Sequence, residues 1–169
     1  MPKIPQIPAV IVDSRESKPY LFENIYTKHK GQRVLVPVEV QVKKLNSGDY
    51  SLLGYEDQVS VERKSVNDLV STIFHSRPRF ERELERLSEM MFSAVVVEGS
   101  WLDVMKYTRD ETSGNPRSID ASITAWMIRH PMTHWCFRPS RRYAENLTFR
   151  ILDRFFKEAQ ANADRPLSR

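Results

Sequence analysis

The chain has 169 residues, of which 40% are hydrophobic and 28% are charged, and its formal net charge is +4 at pH 7. This length fits one domain with a sizeable core, and the composition excludes wholesale disorder. No apolar run approaches the ~20 residues of a membrane span, no signal peptide is visible after Met1, and a single cysteine, Cys136, excludes an internal disulfide framework or a multi-cysteine zinc site. We therefore expect an intracellular protein.

Basic residues are concentrated in the C-terminal third of the chain. Residues 117–169 hold ten basic and five acidic side chains, whereas residues 1–116 hold 16 basic and 17 acidic ones. A polyanion such as DNA would explain this excess, and a solubilising surface explains it nearly as well. The four histidines, which we interpret as structural or surface residues, form no convincing ligand cluster.

The first quarter of the chain predicts an arm, a buried strand, a helix and a half-buried strand. Residues 1–8 hold three prolines, so we predict an irregular arm over residues 1–7, before a domain over 8–162 and a tail over 163–169. The apolar run at 9–13 is typical of a central strand. We expect a helix from Pro19 to about Lys30, and then an alternating strand over 33–43 in which Pro37 favours a sheet edge.

Two short strands follow, joined by a polar turn, and the remaining segments alternate between helix and strand. The hairpin comprises Tyr50–Leu53 and Gln58–Lys64. Ser65, with Asp68 three positions later, predicts a helix start close to a capping box. The later predictions are helices around 79–91, 101–105, 118–129 and 140–162, strands at 93–98 and 133–138, and a polar loop at 109–117. This alternation predicts an α/β fold with a central mixed β-sheet flanked by α-helices.

The alternation of side chains along the second hairpin strand suggests a reactive site. Glu62 and Lys64 share one face, while Val61 and Arg63 share the other, which is the expected core face. Asp49, at the start of the preceding strand, can reach the same cleft. Two carboxylates and a lysine suit metal-assisted phosphodiester hydrolysis, because oxygen ligands hold a hard divalent cation. By itself the pattern also fits charges on a solvated face.

Three motifs, taken together, resemble a known family. They are Val-Asp-Ser-Arg-Glu at 12–16, Gly-Asp-Tyr at 48–50, and Val-Glu-Arg-Lys followed by Asp68-Leu69 at 61–69. In this order and spacing they resemble the nuclease domain of the XPF family of structure-specific DNA endonucleases, over residues 8 to about 158. The resemblance implies a restriction-endonuclease-like fold and an enzyme that cuts branched, flapped or partly single-stranded DNA in repair, recombination or replication.

The resemblance assigns roles to the acidic residues and to the lysine. Asp49 and Glu62 would be ligands of Mg²⁺ or Mn²⁺, with Asp13 as a third acid acting directly or through water. Glu16 would share that catalytic role, or would form an ion pair with Arg15. Lys64 would position or activate water. Asp68 has a structural role as a helix cap, and the family pattern also has an acid at this place.

Six arginines are candidate DNA contacts. Arg15 and Arg63 match family arginines and would hold the scissile phosphate, although Arg63 would equally well buttress the carboxylates from the other strand face. Arg77 is retained where the family usually has Gly-Arg followed by Gln, but Ser76 and Glu81 depart from that pattern. The remaining three lie at the start of the last helix, where a charged helix end explains them equally well: Arg138, Arg141 and Arg142.

Family members usually carry tandem helix-hairpin-helix modules and often a helicase region, and neither is visible here. We expect a stand-alone nuclease domain, as in a small phage or bacterial protein, or a portion of a longer chain. Such a domain would pair with itself or a related subunit through its C-terminal helices, with a helicase or another DNA-binding partner. Its place would be the bacterial cytoplasm or nucleoid, or the eukaryotic nucleus. The alternatives are a non-catalytic DNA-binding scaffold and a general junction-resolving or DNA-degrading nuclease.

Overall fold

The computed structural model describes residues 7–163, and this part of the chain forms eight strands and five helices. The strands are β1 (Val10–Asp13), β2 (Tyr26–His29), β3 (Gln32–Leu35), β4 (Val40–Lys43), β5 (Tyr50–Leu52), β6 (Val59–Ser65), β7 (Phe92–Glu98) and β8 (Thr133–Arg138). The helices are α1 (Val66–His75), α2 (Arg77–Ser88), α3 (Trp101–Glu111), α4 (Pro116–Arg129) and α5 (Arg141–Ala163). Apart from Ile7 and Ala163, the predicted arm and tail lie outside the described residues.

Six of the strands form one mixed sheet in the order β4-β1-β5-β6-β7-β8. The pairs β1–β4, β6–β7 and β7–β8 are parallel, and β5 runs antiparallel to both β1 and β6. The core on one face of the sheet includes Ala144 and Leu152 of α5. The core on the other face is built with Leu69, Leu84 and Trp126, from α1, α2 and α4. The predicted mixed sheet flanked by helices is confirmed.

The hairpin and the helix that follows it form where the sequence predicts them. Side chains of β6 alternate, so Val59 and Val61 are fully buried in the α5-side core. Ser65 caps α1, because its hydroxyl accepts a hydrogen bond from the backbone N–H of Asp68 at 3.1 Å. Within residues 7–163, no helix combines the length and the apolar character that crossing a bilayer requires.

The helix predicted over residues 19–30 is wrong. Residues 19–25 are irregular with a turn at residues 23–24, and the end of the segment forms an antiparallel hairpin of β2 and β3 in which His29 pairs with Gln32. Lys30 and Gly31, with φ of 49° and 81°, form the two-residue turn, a conformation that matches the twist of a hairpin and ends any helix. Tyr20, Phe22 and Ile25 are buried in the α5-side core, but Leu21, which the predicted helix would turn inward, is 64% exposed.

The single strand predicted over residues 33–43 is also wrong, because β3 and β4 belong to different sheets. Pro37 lies between them and has no N–H to donate to a ladder. The sheet edge that Pro37 predicts for the first half of this segment exists, since β3 pairs only with β2. Alternation with Val34, Val36, Val38 and Val40 would place Val42 on a buried face, but Val42 is 70% exposed.

Helical spacing would place Met91 on one face with Phe80, Leu84 and Leu87, and Met127 on one face with Ile119, Ile123 and Trp126, but both methionines are exposed. Helix α2 ends at Ser88, so Met91 lies beyond it and is 67% exposed. Met127 of α4 is 49% exposed. The predicted polar loop is shorter than expected, because α3 continues to Glu111 and α4 begins at Pro116.

Gly48 holds the turn that leads into β5. Its φ is 69°, in the left-handed region, and a Cβ at this position would collide with Oγ of Ser60 and lie 3.2 Å from the carbonyl oxygen of Val61. Only glycine satisfies both constraints without strain. The chain therefore passes close to β6 just before Asp49, which places the Asp49 side chain beside that strand.

Replacing Gly48 with alanine should destabilise the fold more than the same change at Gly54. Gly54 also has a positive φ, 84°, but nothing lies within 4 Å of the place that an added methyl group would take. We expect Gly48→Ala to lower the free energy of unfolding by about 3 kcal/mol, from strain plus overpacking, and Gly54→Ala by about 1 kcal/mol, from strain alone. Urea unfolding of both variants measures this difference, and equal losses would contradict it.

Candidate active site

A cleft of about 440 Å³ opens on the side of the sheet covered by α1 and α2. It is lined by charged side chains from β1 and the segment after it, from the turn before β5, from β6 and from the two helices. The acids are Asp13, Asp49, Glu62, Asp68 and Glu83, and the bases are Arg15, Lys64, Arg79 and Arg86. The structure thus brings Asp13, Asp49, Glu62 and Lys64 of the predicted site into one cleft.

Asp49 and Glu62 are two acidic residues that lie close together in the cleft, with Glu62 buried and Asp49 half-buried. Burial and the negative charge of Glu62 raise the pKa of Asp49 to about 9. Burial likewise raises the pKa of Glu62, against the opposing effect of Lys64. Asp49 is held in place because its Oδ2 accepts a hydrogen bond from the backbone N–H of Arg63 at 2.7 Å. The pair is electrostatically unfavourable, and a bound cation would relieve it.

Lys64 is held between an acid and an aromatic ring. Its Nζ lies 3.1 Å from Oε1 of Glu62 and 4.5 Å from the ring centroid of Phe80, and its side chain is 15% exposed. One ammonium carries three donors, so donors remain for a water or a phosphate oxygen in the cleft.

Asp13 is already engaged by other groups. Its Oδ1 accepts from the backbone N–H and from Nε of Arg15, both at 2.8 Å, and its Oδ2 accepts from the backbone N–H of Leu45 at 2.7 Å. Burial alone would raise the pKa of Asp13, but these hydrogen bonds outweigh burial and lower it. Arg15, by contrast, is 62% exposed at the edge of the cleft.

Glu16 and Arg63 lie outside the cleft, on the other face of the sheet. Arg63 donates from Nε and Nη2 to the carboxylate of Glu98, at 2.8 and 2.9 Å, and its Nη1 lies 3.5 Å from Oε2 of Glu16. The Arg63 and Glu16 side chains are each only 7% exposed. The predicted ion pair between Glu16 and Arg15 is therefore wrong, because Arg15 pairs with Asp13 and Glu16 pairs with Arg63. Of the two alternatives for Arg63, this geometry fits the buttress.

The other predicted arginines are distributed away from the cleft. Arg77 bonds to the hydroxyl of Ser122 and stacks over Trp126, so it joins α2 to α4. Arg141 reaches Glu98 at 2.9 Å and also donates to two backbone carbonyls after β1. Arg138 donates to the carbonyl of Phe137 at 3.3 Å, and Arg142 is exposed on the first turn of α5.

Three residues of α2 line the cleft although their sequence pattern predicts a solvated surface: Arg79, Glu83 and Arg86. Glu83 accepts a hydrogen bond from the backbone N–H of Gly48 at 2.6 Å and pairs with Arg86. Their spacing of four and three residues places them on one face of the helix, which is a signal that the sequence contains. Asp68 supports the cap of α1, because its carboxylate accepts a hydrogen bond from the hydroxyl of Ser65 at 2.6 Å, and it also lines the cleft.

The donor set of the cleft suits a hard divalent cation, and two carboxylates supply it. Among residues 7–163, no group of three or more histidine, cysteine or acidic side chains has a metal-binding arrangement. Asp13, the third predicted ligand, is paired with Arg15. Asp49 and Glu62 remain as the residues that fit a metal, because their carboxyl groups lie close enough for the charge of Glu62 to raise the pKa of Asp49.

The mixed sheet with helices on both faces defines a class of protein: an α/β domain with the restriction-endonuclease-like fold. Two structures of XPF from Aeropyrum pernix, the second in complex with DNA, are similar to this chain, with TM-scores of 0.63 and 0.60 and sequence identities of 20% and 22%. Both matches cover 96% of this chain, and they cover 66% and 68% of those chains.

The chain belongs to the ERCC4 domain family, whose model matches residues 12–149. Over 87 residues the chain is 39% identical to the 3′-flap repair endonuclease Xpf of Saccharolobus solfataricus, an alignment that covers 51% of this chain and 35% of that protein. The chain thus spans about a third of that curated relative's length. The resemblance to the XPF family inferred from the three motifs is confirmed.

Removing the buried cation of Arg63 should destabilise the domain strongly. Arg63→Leu leaves Glu98 and Glu16 without their main partner, and we expect a loss of about 3 kcal/mol in the free energy of unfolding. Arg154→Leu is the control, because its i,i+4 pair with Glu158 is exposed and contributes at most about 0.5 kcal/mol. Denaturant unfolding of both variants measures the difference, and equal effects would contradict the role given to Arg63.

The pairing of Glu98 predicts a specific dependence of stability on pH. Burial would raise the pKa of Glu98, but hydrogen bonds and charge from Arg63 lower it below its ordinary value of 4.5. A group with a lowered folded pKa stabilises the protein above its unfolded pKa, and this contribution is lost as the pH falls through the folded pKa. The stability difference between the parent and Glu98→Gln should therefore be largest above pH 4.5 and shrink below it, as thermal unfolding across pH would show. A constant difference would contradict this origin.

Proposed function

We propose that this chain is a divalent-metal-dependent endodeoxyribonuclease that hydrolyses phosphodiester bonds beside flaps or branches in DNA. The observation that supports the proposal most strongly is that Asp49, Glu62 and Lys64 lie close together in one cleft. A domain that only bound DNA would gain nothing from two carboxyl groups placed where one opposes the ionisation of the other. The pair therefore favours catalysis over a non-catalytic scaffold.

Asp49 and Glu62 would hold Mg²⁺ or Mn²⁺, with Asp13 in an outer position because Arg15 and Leu45 occupy its oxygens. When bound, the ion would polarise the phosphodiester and lower the pKa of a bound water. The remaining donors of Lys64 would orient the attacking water or a non-bridging phosphate oxygen. Arginines have the fork geometry that suits phosphate, so the three on the rim of the cleft would position the DNA backbone: Arg15, Arg79 and Arg86.

The proposed substrate follows from the relatives. One relative is named a 3′-flap repair endonuclease, and one structural neighbour is in complex with DNA. We therefore propose flapped or branched DNA as the substrate, and DNA repair inside the cell as the setting. Because this chain matches only part of the curated relative, we propose that a second copy or a related subunit packs on the exposed side of α5, where Tyr143 is 62% exposed. A helicase or another DNA-binding partner would add branch specificity.

Cleavage assays on end-labelled 3′-flap, splayed-arm, four-way-junction and duplex DNA test the proposed activity with Mg²⁺ or Mn²⁺. We expect cutting near the branch, and a loss of about a thousandfold in Asp49→Asn and in Lys64→Met, which corresponds to about 4 kcal/mol of transition-state stabilisation. Asparagine keeps an oxygen to accept from the Arg63 N–H, so Asp49→Asn should retain both DNA binding and thermal stability.

Asp153→Asn is the matched control, because Asp153 is an acid on α5 that pairs with Lys157 outside the cleft. It should cut at the parental rate. If no substrate is cut, and DNA still binds with an affinity that neither cleft substitution changes, the chain is a non-catalytic scaffold. If duplex and branched DNA are cut equally, the chain is a general nuclease of the same superfamily.

A further inference from the structure

A second cavity lies beside the catalytic cleft, between α1 and the connection from α3 to α4. Its volume is about 510 Å³, within the range of about 300–1,000 Å³ typical of small-molecule sites. Its walls carry the aromatic rings of Phe74 and Tyr107, the imidazole of His75 and the amide of Asn67. The connection closes the cavity with Thr112 and Asn115.

The cavity differs from the cleft in charge. None of its lining residues is an aspartate, glutamate, lysine or arginine, whereas the cleft carries nine such side chains. Rings and neutral hydrogen-bonding groups suit a flat, uncharged ligand with polar edges. A nucleobase has this character, and a phosphate group does not.

The two sites are contiguous. Ser71 of α1 lines both of them. Along the same helix, Asp68 lines the cleft and Phe74 lines the cavity, and these two residues, six positions apart, are separated by about 9 Å along the helix axis. At about 3.4 Å per nucleotide, this corresponds to two or three steps of a stacked strand. A strand held in the cleft can therefore place a nearby base in the cavity.

The aromatic wall is positioned by its neighbours. Phe74 is 36% exposed, and a Cβ at Gly114 would collide with its ring, so a glycine is required where the loop approaches it. The hydroxyl of Tyr107 donates to Oδ1 of Asn67 at 2.9 Å. That bond fixes the orientation of the amide, whose N–H₂ group has no protein acceptor within residues 7–163 and is available to a ligand.

We infer that this cavity binds one unpaired nucleobase of the DNA strand, stacked on Phe74 and hydrogen-bonded by Asn67, two or three nucleotides from the bond that is cut. This inference rests on the proposed function, and it deepens it by naming how the domain recognises unpaired DNA. It makes Phe74 a residue that distinguishes flapped DNA from a plain duplex, in which every base is already stacked.

Equilibrium binding of 3′-flap DNA without metal tests the inference independently of cleavage. Single abasic sites are placed at successive positions of the unpaired arm, and affinity is measured by fluorescence anisotropy. For the parent protein we expect one position at which the abasic site weakens binding about tenfold, since stacking of one base on an aromatic residue contributes about 1–3 kcal/mol. Phe74→Leu should bind intact DNA about tenfold more weakly and should ignore the abasic site.

Two further variants make the experiment decisive. Tyr26→Leu is the matched control, because Tyr26 is an aromatic of similar exposure, 38%, on the separate hairpin of β2 and β3, and it should behave as the parent. Gly114→Ala keeps the aromatic residue but displaces its ring, so it should reproduce Phe74→Leu. Thermal unfolding identifies any variant whose loss comes from misfolding.

Each outcome has a distinct meaning. If an abasic site at no position weakens binding, the inference is wrong and the nuclease proposal stays intact. The same conclusion follows if the losses of affinity from Phe74→Leu and from the abasic site multiply, because the two changes would then act independently. If no flapped or branched DNA binds at all, the proposed function is wrong and the inference is wrong with it. Normal base recognition without cleavage would instead overturn only the enzymatic proposal.

Discussion

The ion pair between Arg63 and Glu98 is the interaction on which the arrangement of this domain depends. Arg63 lies between Glu62 and Lys64 in sequence, so strand alternation directs it to the opposite face of the sheet. A guanidinium 7% exposed would cost several kcal/mol without a partner, and Glu98 on β7 supplies two hydrogen bonds. The pairing of Arg63 with Glu98 therefore allows the strand to present Glu62 and Lys64 to the cleft.

The carboxylate of Glu98, on β7, also links β6 to α5 and, through Arg141, to the segment after β1. Arg141 of α5 also reaches Glu98, and it holds the segment after β1 through the carbonyls of Lys18 and Pro19. One face of the sheet thus carries matched charges that stabilise the fold. The other face carries the cleft, where burial and the charge of Glu62 raise the pKa of Asp49, and such raised pKa values are typical of functional sites.

The sequence predicts the parts of the fold that depend on local rules. The hairpin, the Ser65 cap and the mixed sheet follow from alternation, capping and segment order. The helix predicted over residues 19–30 is wrong because apolar spacing does not reveal that Lys30 and Gly31 adopt positive φ. Helix periodicity likewise indicates that one face of α2 carries charged residues. It does not reveal that Glu83 faces a cleft, because this depends on which element packs against that face of the helix.

By itself, the sequence determined the family, the mixed sheet and the cluster of Asp49, Glu62 and Lys64, because short-range alternation and motif spacing place these residues within a single hairpin. Only the tertiary structure decided that Glu16 pairs with Arg63 and that a neutral cavity adjoins the cleft. These features join elements distant in the chain, and the free energy of burying charge and filling space, rather than any local pattern, selects such contacts.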